Sequence, residues 1–362
     1  MYSQDMLASI KKVEATRASR IGVEPRRMSA EEKDALLKEF HPDYRDVGFD
    51  TLRVGVNKGD KVPVELRALL EGKSRVSGLD LDLEHPDYDV DVLIMRVDPK
   101  IDKEVLDAAK NLKIIGVCSV GLNHIDTEYA KEKGIQIFNA PGMNANAVAE
   151  LTFSKMLDIS RGTFTANYDV KVKHEWDKYK FVGRELRGKT LGVMGFGRIG
   201  RRVGELGRAF GMTVVAYDPF LKPEDFEKEN ATGMSIEELL KVSDFVSIHV
   251  PLTPDTKDLF NAKSIAGMKN DAVVLNMSRG GIVNEQDMYE ALKAGTIGGY
   301  ATDVLENELA GSGLTGNDSF ASPLFECDNF IVSPHIGAQS VDASRDIGIL
   351  IISKIKEALE LK

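Results

Sequence analysis

The chain has 362 residues, of which 43% are hydrophobic and 29% charged, a composition typical of a soluble globular protein long enough for two domains. A formal net charge of −10 argues against a nucleic-acid or anionic-membrane partner. The two cysteines exclude a disulfide framework, and no apolar run reaches the length of a membrane span, so we expect a cytoplasmic protein.

The first 50 residues are charged and carry only helical signals. Ser29 and Glu32 have the spacing of a capping box at the start of a predicted helix over 31–40, which Pro42 ends. We therefore predict a helical N-terminal extension, residues 1–50. Its acidic helix and the HPDY sequence that follows resemble segments of fumarate-reductase-type flavoproteins, which suggests that the extension docks to a partner enzyme.

Strands and helices alternate over the next hundred residues. Short apolar runs predict strands at 52–56, 91–95, 113–117 and 135–138 and helices at 62–70 and 102–111. This alternation implies a parallel sheet with right-handed crossovers.

A long helix is predicted over 145–161, and a polar segment without clear periodicity follows it at 168–187. This segment contains the single tryptophan, Trp176. It is either an arm that wraps a neighbouring subunit or a surface loop.

A strand, a glycine-rich turn, a helix and a second strand follow one another between residues 188 and 219. The turn is Gly195-Phe196-Gly197-Arg198-Ile199-Gly200, and the second strand ends in Asp218. The glycines would permit a tight turn and a close approach to a pyrophosphate, while the helix N-terminus offers free N–H groups to the phosphates. Asp218 would accept hydrogen bonds from the adenosine ribose and repel a 2′-phosphate, which favours NAD over NADP.

The alternation then continues to the C-terminus. Strands are predicted at 245–250, 272–276, 299–302 and 330–333, and helices at 236–241, 262–268, 285–294 and 338–361. A glycine- and serine-rich loop is predicted at 305–322.

Three of these strand ends carry residues that suit hydride transfer at a 2-hydroxy acid: Arg279, then Asp303 with Glu306 and Glu308, and finally His335. Ligands of open parallel sheets lie at the carboxyl ends of the strands, so these side chains should converge. A histidine can exchange the proton of the alcohol, and an arginine fork can bind the substrate carboxylate. On spacing alone, either glutamate could assist the histidine.

Three separated motifs resemble those of the D-isomer-specific 2-hydroxyacid dehydrogenases: the segment 188–200, the segment 276–283 (NMSRGGIV) and the segment 334–338 (PHIGA). The similarity runs from near Arg53 to the C-terminus and is greatest to the family members that act on D-3-phosphoglycerate. It implies an α/β fold with two parallel-sheet domains, Rossmann-like and flavodoxin-like. A nucleotide-binding domain, 146–335, would be inserted into a substrate-binding domain, 51–145 plus 336–362. A homodimer formed through the polar arm is also implied.

The resemblance assigns roles to single residues. Arg279, Glu308 and His335 would act together in catalysis, with Glu308 preferred to Glu306 because it is the fifth residue after Asp303. Asp303 would contact the nicotinamide carboxamide. NAD is the implied cofactor, and no metal ion is expected. Besides the glycine turn and Asp218, cofactor contacts are predicted at Val250, Pro251, Thr256, Met277, Ser278 and Gly337.

On the substrate side, Arg96, Val120 and Gly121 match family loops that hold the carboxylate and the distal phosphate. The expected reaction is the conversion of D-3-phosphoglycerate to 3-phosphooxypyruvate, as in serine biosynthesis, without the regulatory domain of longer relatives. Val117, however, stands where many phosphoglycerate enzymes carry an arginine. The alternatives are another 2-hydroxy acid (D-lactate, hydroxypyruvate or glyoxylate, or sulfolactate) or an NADH-responsive scaffold of the corepressor type.

Overall fold

The computed structural model describes residues 53–57, 75–79, 90–96, 100–308 and 321–360. The predicted N-terminal extension with its docking hypothesis, the helix at 62–70 and most of the loop at 305–322 lie outside these residues. The chain divides into two compact units, with unit 2 (142–343) inserted into unit 1 (1–141 and 344–362).

The elements are numbered here in chain order. The strands are β1 Arg53–Asn57, β2 Arg75–Leu79, β3 Val92–Met95, β4 Ile114–Val117, β5 Gln136–Asn139, β6 Thr190–Met194, β7 Thr213–Tyr217, β8 Thr232–Gly233, β9 Phe245–Ile248, β10 Val273–Asn276, β11 Gly299–Thr302 and β12 Phe330–Val332. The helices are α1 Lys103–Ala108, α2 Thr127–Glu132, α3 Ala145–Arg161, α4 Thr163–Tyr168, α5 Arg198–Ala209, α6 Pro223–Glu227, α7 Ile236–Val242, α8 Ala262–Ala266, α9 Glu285–Ala294 and α10 Val341–Glu360.

Unit 1 is built on a parallel sheet with the order β2-β1-β3-β4-β5, an arrangement of the flavodoxin type. The C-terminal helix α10 packs on this sheet, and it approaches so closely that a Cβ on Gly116 of β4 would lie 2.8 Å from Ile351. The last segment of the chain therefore completes the core of the first.

Unit 2 contains seven parallel strands in the order β12-β11-β10-β9-β6-β7-β8. Strand β6 pairs with both β7 and β9, so the strand order changes direction there. Helices α3 and α5 bury their apolar faces on one side of the sheet, and α7 and α9 bury theirs on the other. Open α/β sheets bind ligands at the carboxyl ends of the strands beside such a switch point.

These two sheets confirm the predicted α/β fold class with two parallel-sheet domains. The unit boundaries differ from the predicted 146 and 335, because residues 142–145 and 336–343 also belong to unit 2. The Asp303 carboxylate explains part of this difference, since it accepts hydrogen bonds from the backbone N–H groups of Ile336 (3.0 Å) and Gly337 (2.7 Å).

Several short elements, β2, α2, α4, α6 and β8, were not predicted, because their sequences are short and mostly polar, such as TEYAKE in α2 and PEDFE in α6, and show no apolar run or period. Across the described ranges, no helix combines the length and the apolar character that a membrane span requires.

The arm that follows α3 is compact. It begins at residue 168, where α4 ends, and contains a π-helical turn at Asp169–Lys173 and a 3₁₀ turn at Lys178–Phe181. The buried Asp169 carboxylate pairs with Lys173 (2.8 Å) and with Lys180, so the two turns are joined by ion pairs. The hydrogen bonds from Lys173 and Lys180 lower the pKa of Asp169.

Candidate active site

The glycine-rich turn joins β6 to α5 with little room for side chains. Gly195 has a φ of 85°, and a Cβ on Gly200 would lie 2.1 Å from the Gly195 carbonyl oxygen, so only glycine fits there. A Cβ on Gly197 would meet nothing within 4 Å, which leaves open space above the turn. Gly197 is also the N-cap of α5, and no side chain caps this helix. Its N-terminal N–H groups can therefore receive a phosphate.

Asp218 lies beside this turn at the end of β7. Its Oδ2 accepts a hydrogen bond from Phe196 N (2.9 Å) and its Oδ1 accepts one from Phe220 N (3.0 Å). Each carboxylate oxygen retains a further lone pair for a ribose hydroxyl. The turn, the open space and the fixed carboxylate fit a dinucleotide such as NAD.

The other predicted cofactor residues lie in the glycine turn, in the loop after β9 and at strand ends of the same sheet. In the turn, the Phe196 side chain is buried in the core against Phe226, so only its backbone remains for a cofactor. Thr256 fixes its own loop by donating to the Pro251 carbonyl (2.6 Å). The strand-end positions are Val250 and Pro251 after β9, Met277 and Ser278 after β10, Asp303 after β11, and Gly337 after β12.

His249, at the end of β9, is a structural histidine. Its Nε2 lies 2.7 Å from the Ser247 hydroxyl, and its Nδ1 is buried without a hydrogen-bond partner among the described residues. Burial lowers the pKa of His249 to about 3, so the ring stays neutral. It is therefore unsuited to donate a proton near neutral pH.

Asp303 organises the turn at residues 333–337. The side chain is 2% exposed, and its two oxygens accept hydrogen bonds from the Ser333 hydroxyl and from the backbone N–H groups of Ile336 and Gly337. Its carbonyl oxygen also accepts a hydrogen bond from His335 N (2.8 Å). The predicted contact with a nicotinamide carboxamide would have to share this carboxylate with the turn.

His335 occupies this turn in a strained conformation. Its φ is 52°, a left-handed value that costs a residue other than glycine on the order of 1–3 kcal/mol. The imidazole Nδ1 lies 3.1 Å from Oε1 of Glu308, and the side chain of His335 is 46% exposed. With Nδ1 engaged by the carboxylate, Nε2 is left for a substrate oxygen.

Arg279 lies at the neighbouring strand end. A Cβ on Gly280 would lie 2.3 Å from the Leu305 carbonyl oxygen, so the loop after β10 lies directly against the segment that leads to Glu308. The guanidinium donates to the Ser278 carbonyl (2.7 Å) and makes no described hydrogen bond to Glu308 or His335. The structure thus pairs two of the three predicted catalytic residues and places the third on the adjoining loop.

Glu306 has a different environment from Glu308. Its backbone N–H donates to Oε1 of Glu285 (2.7 Å), and burial together with the Glu285 charge raises the pKa of Glu306. No described contact joins its side chain to the histidine, whereas Glu308 contacts the ring directly.

Two residues with structural roles at this site were missed by the sequence analysis. The Asn276 side chain donates to the Arg279 carbonyl (2.9 Å) and accepts from Ser278 N (3.0 Å), which shapes the arginine loop. An asparagine directly after an apolar strand is a known signal for such a turn. Lys155, on α3, is buried near Asp303, and nothing in the helical pattern indicated it.

The predicted substrate residues lie in unit 1, where Arg96 follows β3 and Val120 and Gly121 follow β4. The Ser119 hydroxyl donates to the Gly121 carbonyl (3.0 Å), and Asn139 Nδ2 donates to the Val120 carbonyl (2.8 Å). These bonds fix the backbone of the loop that follows β4.

Residues 153–337 match the model of the D-isomer specific 2-hydroxyacid dehydrogenase, NAD binding domain. A D-3-phosphoglycerate dehydrogenase from Methanocaldococcus jannaschii is 41% identical over 277 residues, which cover 75% of this chain and 50% of that protein. A hydroxypyruvate reductase from Thermotoga maritima is 38% identical over 315 residues, which cover 85% of this chain and 99% of that protein. The chain therefore spans about half the length of the first relative and nearly all of the second.

Among solved structures, a D-lactate dehydrogenase from Aquifex aeolicus complexed with NAD and lactic acid has a TM-score of 0.69 and 31% sequence identity. The similarity covers 85% of this chain and 96% of that one.

Proposed function

Because the chain belongs to the D-isomer specific 2-hydroxyacid dehydrogenase family, we propose that it interconverts a D-2-hydroxy acid and the corresponding 2-keto acid, with His335 carrying the proton. The observation that supports this most is the His335–Glu308 pair on a turn held at the carboxyl edge of the sheet with the NAD-binding fingerprint.

In the reductive direction, His335 as the imidazolium donates a proton from Nε2 to the carbonyl oxygen of the keto acid, and in oxidation the neutral ring takes it back. The bound NAD supplies or accepts the hydride at the substrate C2. Glu308 accepts the hydrogen bond of Nδ1 and thereby fixes the orientation of the ring.

Arg279 is the proposed ligand of the substrate carboxylate. A guanidinium matches a carboxylate with two parallel hydrogen bonds, and its charge polarises the neighbouring carbonyl. The side chain is exposed, and its described hydrogen bond to the Ser278 carbonyl leaves most of its five donors for a ligand.

For the substrate, D-3-phosphoglycerate is our first candidate, supported by the 41% identity to a dehydrogenase of that name. Hydroxypyruvate is the second, because a hydroxypyruvate reductase matches over 99% of its length. Val117 favours the unphosphorylated acid, since it is fully buried in β4 and offers no charge for a phosphate. Arg96, Val120 and Gly121 remain the predicted ligands on the substrate side.

The test is NADH oxidation by the purified protein with 3-phosphooxypyruvate, hydroxypyruvate, pyruvate, glyoxylate and sulfopyruvate. A kcat/KM for 3-phosphooxypyruvate well above the others would support the first candidate, and Arg96→Gln should then reduce that preference. A preference for hydroxypyruvate would support the second. Absence of turnover with all five acids would contradict the proposed reaction and favour a scaffold.

We also propose that the arm after α3 covers a second copy of the chain. Apolar side chains stand out from it, with Trp176 86% exposed and Val182 85% exposed, although ion pairs keep its backbone compact. The test is light scattering on the full-length protein. A dimer that dissociates in Trp176→Ser with Val182→Ser would support the proposal, and a monomeric wild type would contradict it.

A further inference from the structure

Unit 2 contains a buried lysine on helix α3. Lys155, in the middle of α3, is 5% exposed, and it makes no hydrogen bond or ion pair to any residue that the structure describes. A lysine is disfavoured in such a position unless its ammonium group keeps contact with water or lies near a negative charge, and an apolar side chain would pack there without that requirement. A group of this kind near a site is a candidate for a functional role.

Its position follows from its neighbours on the same face of α3. Val148 packs against the 333–337 turn, because a Cβ on Gly337 would lie 3.4 Å from it. Ile159 packs at the start of β11, where a Cβ on Gly299 would lie 2.6 Å from it. Lys155 lies between these two contacts and therefore alongside β11, whose end carries Asp303.

The charged groups around Lys155 are few. The negative charges of Asp303 and Asp158 act on it, the first from the end of β11 and the second from α3 itself. Strands β10 and β12 and helix α4 also pack against α3, and their sequences contain no charged residue. Helix α5 runs along a different face of α3, where Arg202 donates to Asn146 (2.8 Å) and Phe210 stacks on Phe153.

We propose that Lys155 is a positioning residue: its ammonium group balances the buried charge of Asp303 and so keeps the 333–337 turn, with His335, in the geometry for proton transfer. The inference rests on the proposed function, because it assigns Lys155 a part in that same site. The Asp303 carboxyl group accepts three hydrogen bonds from the turn and is buried there, and a nearby cation is the favourable neighbour for a buried carboxylate. Lys155 acts through Asp303 and touches neither substrate nor cofactor.

The charge on Lys155 is sensitive to pH. Burial, opposed by the charges of Asp303 and Asp158, lowers the pKa of Lys155 to about 8. The ammonium group therefore loses its proton within the range used for dehydrogenase assays, and the turn should loosen as it does so.

The first experiment compares three variants of the full-length protein with the wild type, using the best keto acid and NADH. Lys155→Met should lower kcat on the order of tenfold to a hundredfold, as expected for a displaced proton donor, with the KM for NADH unchanged. Lys155→Arg keeps the charge at every assay pH and should restore most of the kcat. Thr152→Val removes a buried polar group one turn earlier on the same helix and should behave like wild type. Equal kcat in Lys155→Met and wild type would overturn the proposal.

The second experiment does not depend on turnover. The His335 ring resonance of ¹³C-labelled protein, assigned by its loss in His335→Gln, is followed from about pH 5 to pH 10. In the wild type it should show a second inflection near the pKa of about 8, which Lys155→Met removes. Identical titrations in both proteins would contradict the role of Lys155. Failure of wild-type turnover with every acid would instead contradict the proposed function.

Discussion

The carboxyl edge of the unit 2 sheet has two halves that bind in different ways. The glycine half, residues 195–200 and 218, offers the backbone N–H groups at the N-terminus of α5, which no side chain caps. It also offers the carboxylate of Asp218, which is fixed by hydrogen bonds. The histidine half, residues 276–280, 303–308 and 333–337, offers side chains: a strained histidine, its glutamate and an arginine. The first half is suited to hold a ligand of fixed shape, and the second to move a proton and bind a variable acid.

This difference predicts that a substitution in one half changes either cofactor binding or the reaction of the acid, but not both. Backbone groups in the glycine half do not titrate, so cofactor binding should depend little on pH near neutrality. In the proposed mechanism proton transfer depends on His335, which lies on a turn held by the buried Asp303 carboxylate. Variants of the histidine half should therefore change kcat or the KM of the keto acid, and variants of the glycine half should change selection of the cofactor.

The largest effect is expected at His335. His335→Gln keeps a side chain of similar size without a titratable ring, and kcat should fall by roughly 10²–10⁴-fold because general acid–base catalysis is lost. The KM for NADH should not change. His174→Gln is the matched control, because His174 is another histidine with a positive φ (59°) and lies in the arm. Unchanged kcat in His335→Gln would remove the histidine from the mechanism and with it the distinction between the halves.

Arg279 should give the next largest effect. In Arg279→Ala the substrate carboxylate loses charge-assisted hydrogen bonds worth about 1.5–3 kcal/mol, so kcat/KM for every 2-keto acid should fall by roughly tenfold to a hundredfold. Steady-state kinetics measure this directly, with NADH affinity followed by fluorescence. Arg187→Ala removes an exposed arginine of the same unit and serves as the control. Normal keto-acid affinity in Arg279→Ala would exclude the carboxylate role.

Lys155→Met tests how much the buried lysine beside the histidine half lowers the free energy of unfolding. The pKa of Lys155 is about 8 in the folded protein against an ordinary value of 10.5, so below pH 8 folding buries a charged group. Between pH 8 and pH 10.5 Lys155 is protonated in the unfolded chain but not in the folded protein. The free energy of unfolding of the wild type therefore rises with pH over this range. The variant should therefore be more stable by about 1–3 kcal/mol at pH 7, and the difference should shrink towards pH 10.5. Urea unfolding at several pH values measures it, and a less stable variant at pH 7 would be the contrary result.

The two halves also differ in how far the sequence predicts them. The glycine half is contiguous, and a strand, a glycine turn and an acid at the end of the next strand are all local signals. The strand, turn, helix and second strand predicted between residues 188 and 219 are accordingly observed as β6, the glycine turn, α5 and β7. Outside this half, the predicted bounds of α3, α9 and β11 also agree with the observed residues. The histidine half depends on contacts between loops far apart in the chain, such as the bonds from the 333–337 turn to Asp303.

Sequence patterns do not contain such contacts. The left-handed φ of His335 does not follow from periodicity, because its turn is held by Asp303 at the end of another strand. The loop-shaping bonds of Asn276 are local, and an asparagine after a strand is a signal for them. Lys155 was missed for the same reason as the conformation of His335. A lysine inside a helix is normally exposed, and only the packing of α3 on β11 reveals that this one is buried.

The smallest effect is expected in the glycine half, at Asp218. Its carboxylate is fixed by two backbone N–H groups at the position expected for the adenosine ribose, where its charge repels a 2′-phosphate. Asp218→Ser keeps a hydrogen-bonding group and removes the charge, so the preference for NADH over NADPH should fall by roughly tenfold, about 1.4 kcal/mol, with kcat for NADH little changed. Glu224→Gln removes an exposed negative charge from α6 and is the control for a general change of field. If both variants shift the preference equally, long-range charge selects the cofactor; if Asp218→Ser lowers kcat instead, the two halves are not separable.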